Sequence, residues 1–167
     1  MPSASLATPL ETLLQALTAA CMAFYGSRLV SVAVFGSVGR GTPRPDSDID
    51  LLLVIESLPR GRISRMAEFQ TVEDTLRPTL SEARNSGLNP RLSPFLKEPK
   101  EVLAGSPLFL DMTEDARILY DRNDFFQSAL TRFKAKLDRL GARRIWRGDA
   151  WYWDLKPDYR WGDVIEL

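Results

Sequence analysis

The sequence predicts an α/β domain of the α+β kind, a small β-sheet flanked by helices. Three observations carry that expectation. Apolar residues recur at helical spacing in separate stretches, short β-branched apolar runs lie between them, and two of those runs are joined by a glycine-rich turn. The length of 167 residues suits one compact unit. A chain of that size buries roughly two thirds of its unfolded surface and needs no disulfide or metal staple.

The elements follow in order. Thr8, Pro9 and Glu11 read as a helix start, with Thr8 capping, Pro9 in the first turn and Glu11 completing a capping box. Leu10, Leu13, Leu14, Leu17, Cys21 and Phe24 then form one apolar face, and Gly26 ends the helix. Leu29 to Phe35 is short, apolar and β-branched, a buried strand. Gly36 to Gly41 is a glycine-rich turn, Thr42 to Ser47 an irregular loop, and a second strand runs from Asp48 to about Glu56. Residues from about Ile63 to Arg84 read as a helix that Pro78 should kink or split. Arg91 to Leu96 fits a third strand, placed at an edge by Pro90 and Pro94. A short helix is expected at Glu98 to Ala104. The type of Leu108 to Met112 and of Arg117 to Tyr120 stays open. A strong helix begins near Asn123 or Asp124 and ends at Gly141, and the tail beyond it carries all four tryptophans. The expected division is a main domain over residues 1–122 and a C-terminal helix with an aromatic tail over 123–167, packed on that same domain.

Composition narrows the chemistry. Formal net charge is zero, so the overall balance suggests neither a nucleic-acid coat nor an acidic membrane surface. Arg143, Arg144 and Arg147 form one local basic patch, which keeps RNA contact open as a lesser reading. No apolar run approaches membrane-spanning length, and the single cysteine, Cys21, suits a reducing cytoplasm; a cytoplasmic protein is expected. There is no histidine. That removes histidine triads, histidine general bases and the histidine-containing metalloprotease and deaminase motifs. Any chemistry must run on carboxylates, hydroxyls, lysine, arginine or tyrosine.

The stretch from Gly36 to Asp50 carries that chemistry. Asp48 and Asp50 are two apart at a strand start, so both side chains emerge on one face. Alternate strand positions lie about 6.5–7 Å apart, close enough to share one or two hard cations. Magnesium suits such oxygen ligands and bridges them to substrate phosphates. The turn with little side-chain bulk lets backbone N–H groups approach phosphate oxygens, Ser37 adds a hydroxyl, and Arg40 offers a forked cation. Asp-x-Asp alone is usually a solvated pair, and a glycine turn alone is usually a turn. In this order, between two apolar strands, they outline a phosphoryl-transfer site.

Gly36-Ser37, ten intervening residues with Arg40-Gly41 and Ser47 among them, then Asp48-Ile49-Asp50 resemble the minimal nucleotidyltransferases of the DNA polymerase β-like superfamily. The motif covers about twenty residues and is specific for the superfamily, not for a substrate. The resemblance implies a mixed sheet in the nucleotidyltransferase fold and magnesium, two ions, at Asp48 and Asp50. It implies nucleoside triphosphate contact at Gly36 and Ser37, with Arg40 and Ser47 beside them, and transfer of a nucleoside monophosphate, AMP from ATP, to a hydroxyl. Minimal members often stand beside a small helical HEPN-type protein, and some are antitoxins that adenylylate that partner's tyrosine. The family also uses a third carboxylate, on a later strand, to orient or activate the attacking hydroxyl. Asp111 in Leu108-Phe109-Leu110-Asp111-Met112 is the best strand-like match, with Glu98 and Asp115 behind it. Arg91 to Phe95 could instead be that strand, and it carries no acid. Two rival functions stay in view: a non-catalytic nucleotide-binding antitoxin or regulatory module, and transfer to an RNA end or a small-molecule hydroxyl.

Lys156 and Arg160 could reach a triphosphate from the tail, and Trp146, Trp151, Tyr152 and Trp153 could stack a base, meet a partner or close a core edge.

Overall fold

Leu29 to Phe35, interrupted only by Ser31, and Leu51 to Ile55 read as apolar runs because of where they lie. They form the two central strands of a sheet covered on both faces. The computed structural model describes residues 4–161, 163 and 164. Helix α1 (Ala4–Tyr25) leads into β1 (Leu29–Phe35), the one-turn α2 (Gly36–Gly39) and β2 (Asp48–Ile55). Helices α3 (Arg62–Thr75) and α4 (Arg77–Asn85) cross to β3 (Arg91–Lys97), followed by α5 (Pro99–Leu103), α6 (Phe109–Asp115) and β4 (Arg117–Asp121). Helix α7 (Phe125–Leu140) precedes a separate hairpin of β5 (Arg143–Arg147) and β6 (Ala150–Asp154).

The four-stranded sheet has the order β3-β2-β1-β4 and is mixed: β1 is antiparallel to β2 and β4, and β2 is parallel to β3. The α/β expectation and the mixed sheet both hold. One face packs Leu13, Leu17, Leu51, Leu53, Phe69 and Val72 from α1, β2 and α3 into a single cluster. The other face packs Ala33, Leu52 and Val54 against Phe109, Met112 and Phe126 from α6 and α7. The α7 face is the periodic one expected, with Phe126, Leu130, Phe133 and Leu137 buried, and Gly141 closes it at φ 71°. Its amino-terminal amides are met by Asp121, whose Oδ1 accepts from Phe126 N at 3.0 Å and whose Oδ2 accepts from Gln127 N at 2.9 Å. Cys21 is fully buried, and burial pushes its thiol up to about 12.

Three local expectations hold. The long helix splits at Leu76, with Pro78 in the first turn of α4, where no amide hydrogen is needed. Strand β3 is an edge strand, and Glu98 begins a short helix with a reciprocal capping box to Glu101. One is corrected, and two stretches left open are resolved. Helix α1 starts upstream of Thr8, at Ala4; Pro9 lies inside it, and Glu11 pairs with Arg117 of β4 instead of capping. The run at Leu108 to Met112 is helical from Phe109 on, with Phe109 and Met112 buried on one helix face. The tail is a β-hairpin, which the spacing of its aromatics did not foretell. Among the described residues no helix is long and apolar enough to cross a membrane.

Candidate active site

Strands β1 and β2 pair Phe35 with Asp50, so the chain leaves β1 into Gly36 directly beside the second aspartate. Gly36 has φ 63°, the left-handed region that penalises every side chain. A Cβ placed there would lie 2.4 Å from Asp50 Oδ2. The Asp50 carboxylate therefore occupies the space a side chain would need. Gly39 is required by room alone, since its Cβ would lie 2.1 Å from the backbone oxygen of Asp115. That contact seats α2 on the end of α6. Thr42 N donates to Ser37 O at 2.9 Å and Arg40 N to Gly36 O at 3.1 Å, winding the turn tightly. Ser37, half-buried, lies within it. Ser47 shapes the following loop: its Oγ accepts from Arg44 N at 2.8 Å and its N donates to Arg44 O at 3.1 Å.

Asp48 and Asp50 then emerge on one face of β2, with Ile49 between them buried in the opposite face at 1% exposure. Asp48 is exposed and Asp50 half-buried. Burial is the largest influence on the Asp50 carboxyl and raises it above its ordinary value. The Ser93 hydroxyl opposes that rise, the Asp48 charge adds to it and Arg40 opposes it. A hard divalent cation would relieve both the burial and the repulsion, and the all-oxygen donor pair suits magnesium. The residues present fit that ion.

The third carboxylate is a different matter. Strand β3 lies beside β2 in parallel register, with Arg91 against Asp48 and Ser93 against Asp50. It carries no acid. Asp111 sits on α6, not on a strand, and its Oδ1 accepts from Trp151 Nε1 at 2.7 Å and Trp153 Nε1 at 2.8 Å. Among the described residues no three acidic or other metal-ligating side chains converge, so the fold does not gather Asp111 with Asp48 and Asp50. The apolar run around Asp111 misled because a helix and a strand both bury such a run; the carboxylate is accommodated by two indole donors. Glu98 caps α5 and pairs with Lys100 at 2.8 Å. Asp115, 6% exposed, accepts from Arg40 Nη1 at 3.2 Å and Arg144 Nη1 at 2.7 Å.

Arg40 is thereby fixed. Its guanidinium is held by Asp115 and lies 4.6 Å over the Trp151 ring, while Arg144 lies against the Trp146 and Trp151 rings. Part of the basic patch is thus packed against aromatics of the hairpin. In the tail, Lys156 Nζ pairs with Asp163 at 2.6 Å. The sequence reading missed Gly39 as a contact point, Ser93 and Arg91 as cross-strand neighbours of the aspartates, and Asp115 with Trp151 as the holders of Arg40. Only Gly39 left a local signal, as an extra glycine in the turn.

The nucleotidyltransferase domain family matches residues 17–120, which spans β1, the glycine turn, the aspartate pair and β3. A Methanocaldococcus jannaschii protein, provisionally named a protein adenylyltransferase, is 33% identical over 122 residues, covering 72% of this chain and 78% of its own length. The chain belongs to the nucleotidyltransferase domain family. It is a transferase by that membership. Among solved structures, a chain of a toxin–antitoxin complex with AMP-PNP is similar at 15% identity and a TM-score of 0.47, covering 77% of this chain and 92% of that one. A chain of the MntA–HepT toxin–antitoxin complex is similar at 12% identity and a TM-score of 0.45, covering 78% and 92%.

Proposed function

We propose that this nucleotidyltransferase moves AMP from ATP onto a hydroxyl of a protein acceptor. The observation that carries the reading is the bare Cα of Gly36 against the Asp50 carboxylate, 2.4 Å from where a Cβ would stand. It puts a side-chain-free backbone turn beside a pair of oxygen ligands, the two halves of a triphosphate site. Gly36 and Ser37 bind the triphosphate, and Arg40, held by Asp115 and Trp151, contributes positive charge that acts on Asp50. Ser47 acts by shaping the loop that delivers Asp48. Asp48 and Asp50 would hold two magnesium ions, whose charge would stabilise the attacking and leaving oxygens. The acceptor oxygen forms a bond to the α-phosphorus, the bond from that phosphorus to the bridging oxygen breaks, and pyrophosphate leaves. With Ser93 and no carboxylate on β3 opposite Asp50, the acceptor proton passes to water.

A protein acceptor is supported by the relative named a protein adenylyltransferase. A tyrosine of a HEPN-type helical partner as that acceptor rests on the resemblance of the glycine–aspartate motif alone. A second reading is favoured by one observation, the acid-free β3: nucleotide binding by a module that acts on its partner without transfer. Incubation with magnesium, a HEPN-type partner and ATP labelled at either the α- or the γ-phosphate separates them. Transfer predicts covalent α-label on the partner, release of pyrophosphate, and loss of both in Asp50→Asn. Binding of ATP with no label on the partner supports the second reading, and retention of γ-label excludes AMP transfer.

A further inference from the structure

A groove of about 750 Å³ runs along the outer side of β3, between that strand and the start of α3, with Asp48 at one end. It wraps the edge of the sheet: its apolar floor of Met66, Leu92 and Leu96 lies on the Ile49 face, and its rim carries Arg62 on α3 and, on the face of the aspartates, Arg91 and Lys97. Among the described residues none of these three cations has a side-chain carboxylate within salt-bridge distance, and of the other charges lining the groove Arg65 and Glu101 are paired with each other while Asp48 has no partner. Arg65 donates to Glu101 Oε2 at 2.7 Å and to the Leu96 carbonyl at 3.1 Å, and Glu101 also accepts from Glu98 N at 2.7 Å. The rim is thus a surplus of positive charge beside the aspartate pair.

The position of the groove gives it a role. The glycine turn lies on the β1 side of Asp50 and β3 on the other. An in-line displacement puts the leaving pyrophosphate and the attacking oxygen on opposite sides of the phosphorus. If the triphosphate lies on the turn, as in the function proposed above, the attacking group comes from β3. We infer that the β3 groove receives an acidic polypeptide segment that carries the acceptor hydroxyl. Arg91, level with Asp48, and Lys97 at the far end of β3 then contact carboxylates flanking that hydroxyl. Those same cations hold the acceptor side electropositive, which favours a departing proton where no carboxylate is available to take it.

Peptide fits better than nucleic acid. The chain has zero formal charge and a pI near 6.3, and an apolar floor accepts amino-acid side chains, not a run of phosphates. Strand addition by a second copy is opposed at the same edge, because Pro94 lacks an amide hydrogen and Arg65 caps the Leu96 carbonyl.

The test uses the intact chain and three fluorescein-labelled probes: a short peptide alternating glutamate and tyrosine, its lysine–tyrosine counterpart, and an oligouridylate. Anisotropy should show binding of the acidic peptide alone, weakened by salt. The double variant R91E/K97E should lose affinity by about tenfold or more through like-charge repulsion, while Arg139→Glu, on α7, leaves it unchanged. Equal binding of the basic peptide, or tighter binding of the oligouridylate that the double variant abolishes, overturns the inference. Calorimetry with ATP and magnesium separates it from the reading of the turn. Unchanged ATP affinity in R91E/K97E is expected, and a parallel loss would assign the cations to the triphosphate instead. Failure of the unaltered protein to bind ATP, with peptide binding intact, would defeat the nucleotide reading and leave the groove standing.

Discussion

The two flanks of the aspartate pair are built on opposite principles. On the β1 side everything is decided by contact: Gly36 and Gly39 have no room for a methyl group, and Arg40 is gripped by an acid and an indole. On the β3 side an open groove is rimmed by Arg62, Arg91 and Lys97, which among the described residues have no carboxylate partner. A tight flank suits a ligand of fixed shape, such as a triphosphate, and an open charged flank suits an acceptor recognised by its field more than its outline. On the proposed reading, steric identity is concentrated where the chemistry is general, and electrostatic identity where specificity is needed.

Four substitutions probe that contrast, from the largest expected effect down. Asp50→Asn removes a carboxylate that both flanks share. Loss of several kcal/mol of charge stabilisation predicts a transfer rate lower by about a thousandfold or more, with the fold retained. A folded Asp50→Asn protein with full turnover in the label-transfer assay would remove the pair from the mechanism. Gly36→Val attacks the tight flank alone. Positive φ and the collision with Asp50 together cost about 1–3 kcal/mol, so ATP affinity by calorimetry should fall by about tenfold or more. Peptide binding in the β3 groove should scarcely change.

Trp151→Ala loosens the tight flank from a distance. It removes a cation–π contact of about 0.5–1 kcal/mol and one indole hydrogen bond to Asp111. ATP affinity should drop about threefold, and thermal unfolding should come a few degrees earlier. Unaltered ATP affinity with the lowered unfolding temperature would make the hairpin structural only.

Glu11→Gln lies outside both flanks and serves as the control. The hydrogen bond from Arg117 holds the Glu11 carboxyl below its ordinary value of 4.5. A lowered folded value means the stabilisation is fully present above that ordinary value and is lost as pH falls through the folded one. The pair is about half exposed, so solvent screening leaves a few tenths of a kcal/mol. Denaturant midpoints of the two proteins should differ slightly at neutral pH and converge in acid, with transfer unchanged.

What the sequence disclosed followed the same division. The two central strands were legible because burial on both faces leaves a nearly continuous apolar run, and α7 because its buried face keeps one helical period. Gly36, Asp48 and Asp50 were legible because a short connection fixes their relation locally. Asp111 was misplaced because an acid within an apolar run looks the same on a strand or a helix. Its partners, Trp151 and Trp153, lie in a hairpin forty residues on. Ser93 as the neighbour of Asp50 depends on strand order, and the groove depends on α3 meeting β3. Neither relation is written in any one segment.

The clamp on Arg40 also has a dimension in time. The turn and both aspartates leave the ribosome early, but Asp115 follows Arg40 by 75 residues, and Arg144 and Trp151 come later still. A nascent chain can therefore close its first two strands and present the carboxylate pair while its arginine is still unanchored. Only when the last hairpin folds back does Trp151 cover the guanidinium. Premature termination anywhere in the final segment would leave a protein with its aspartates in order and its arginine without the indole that covers it.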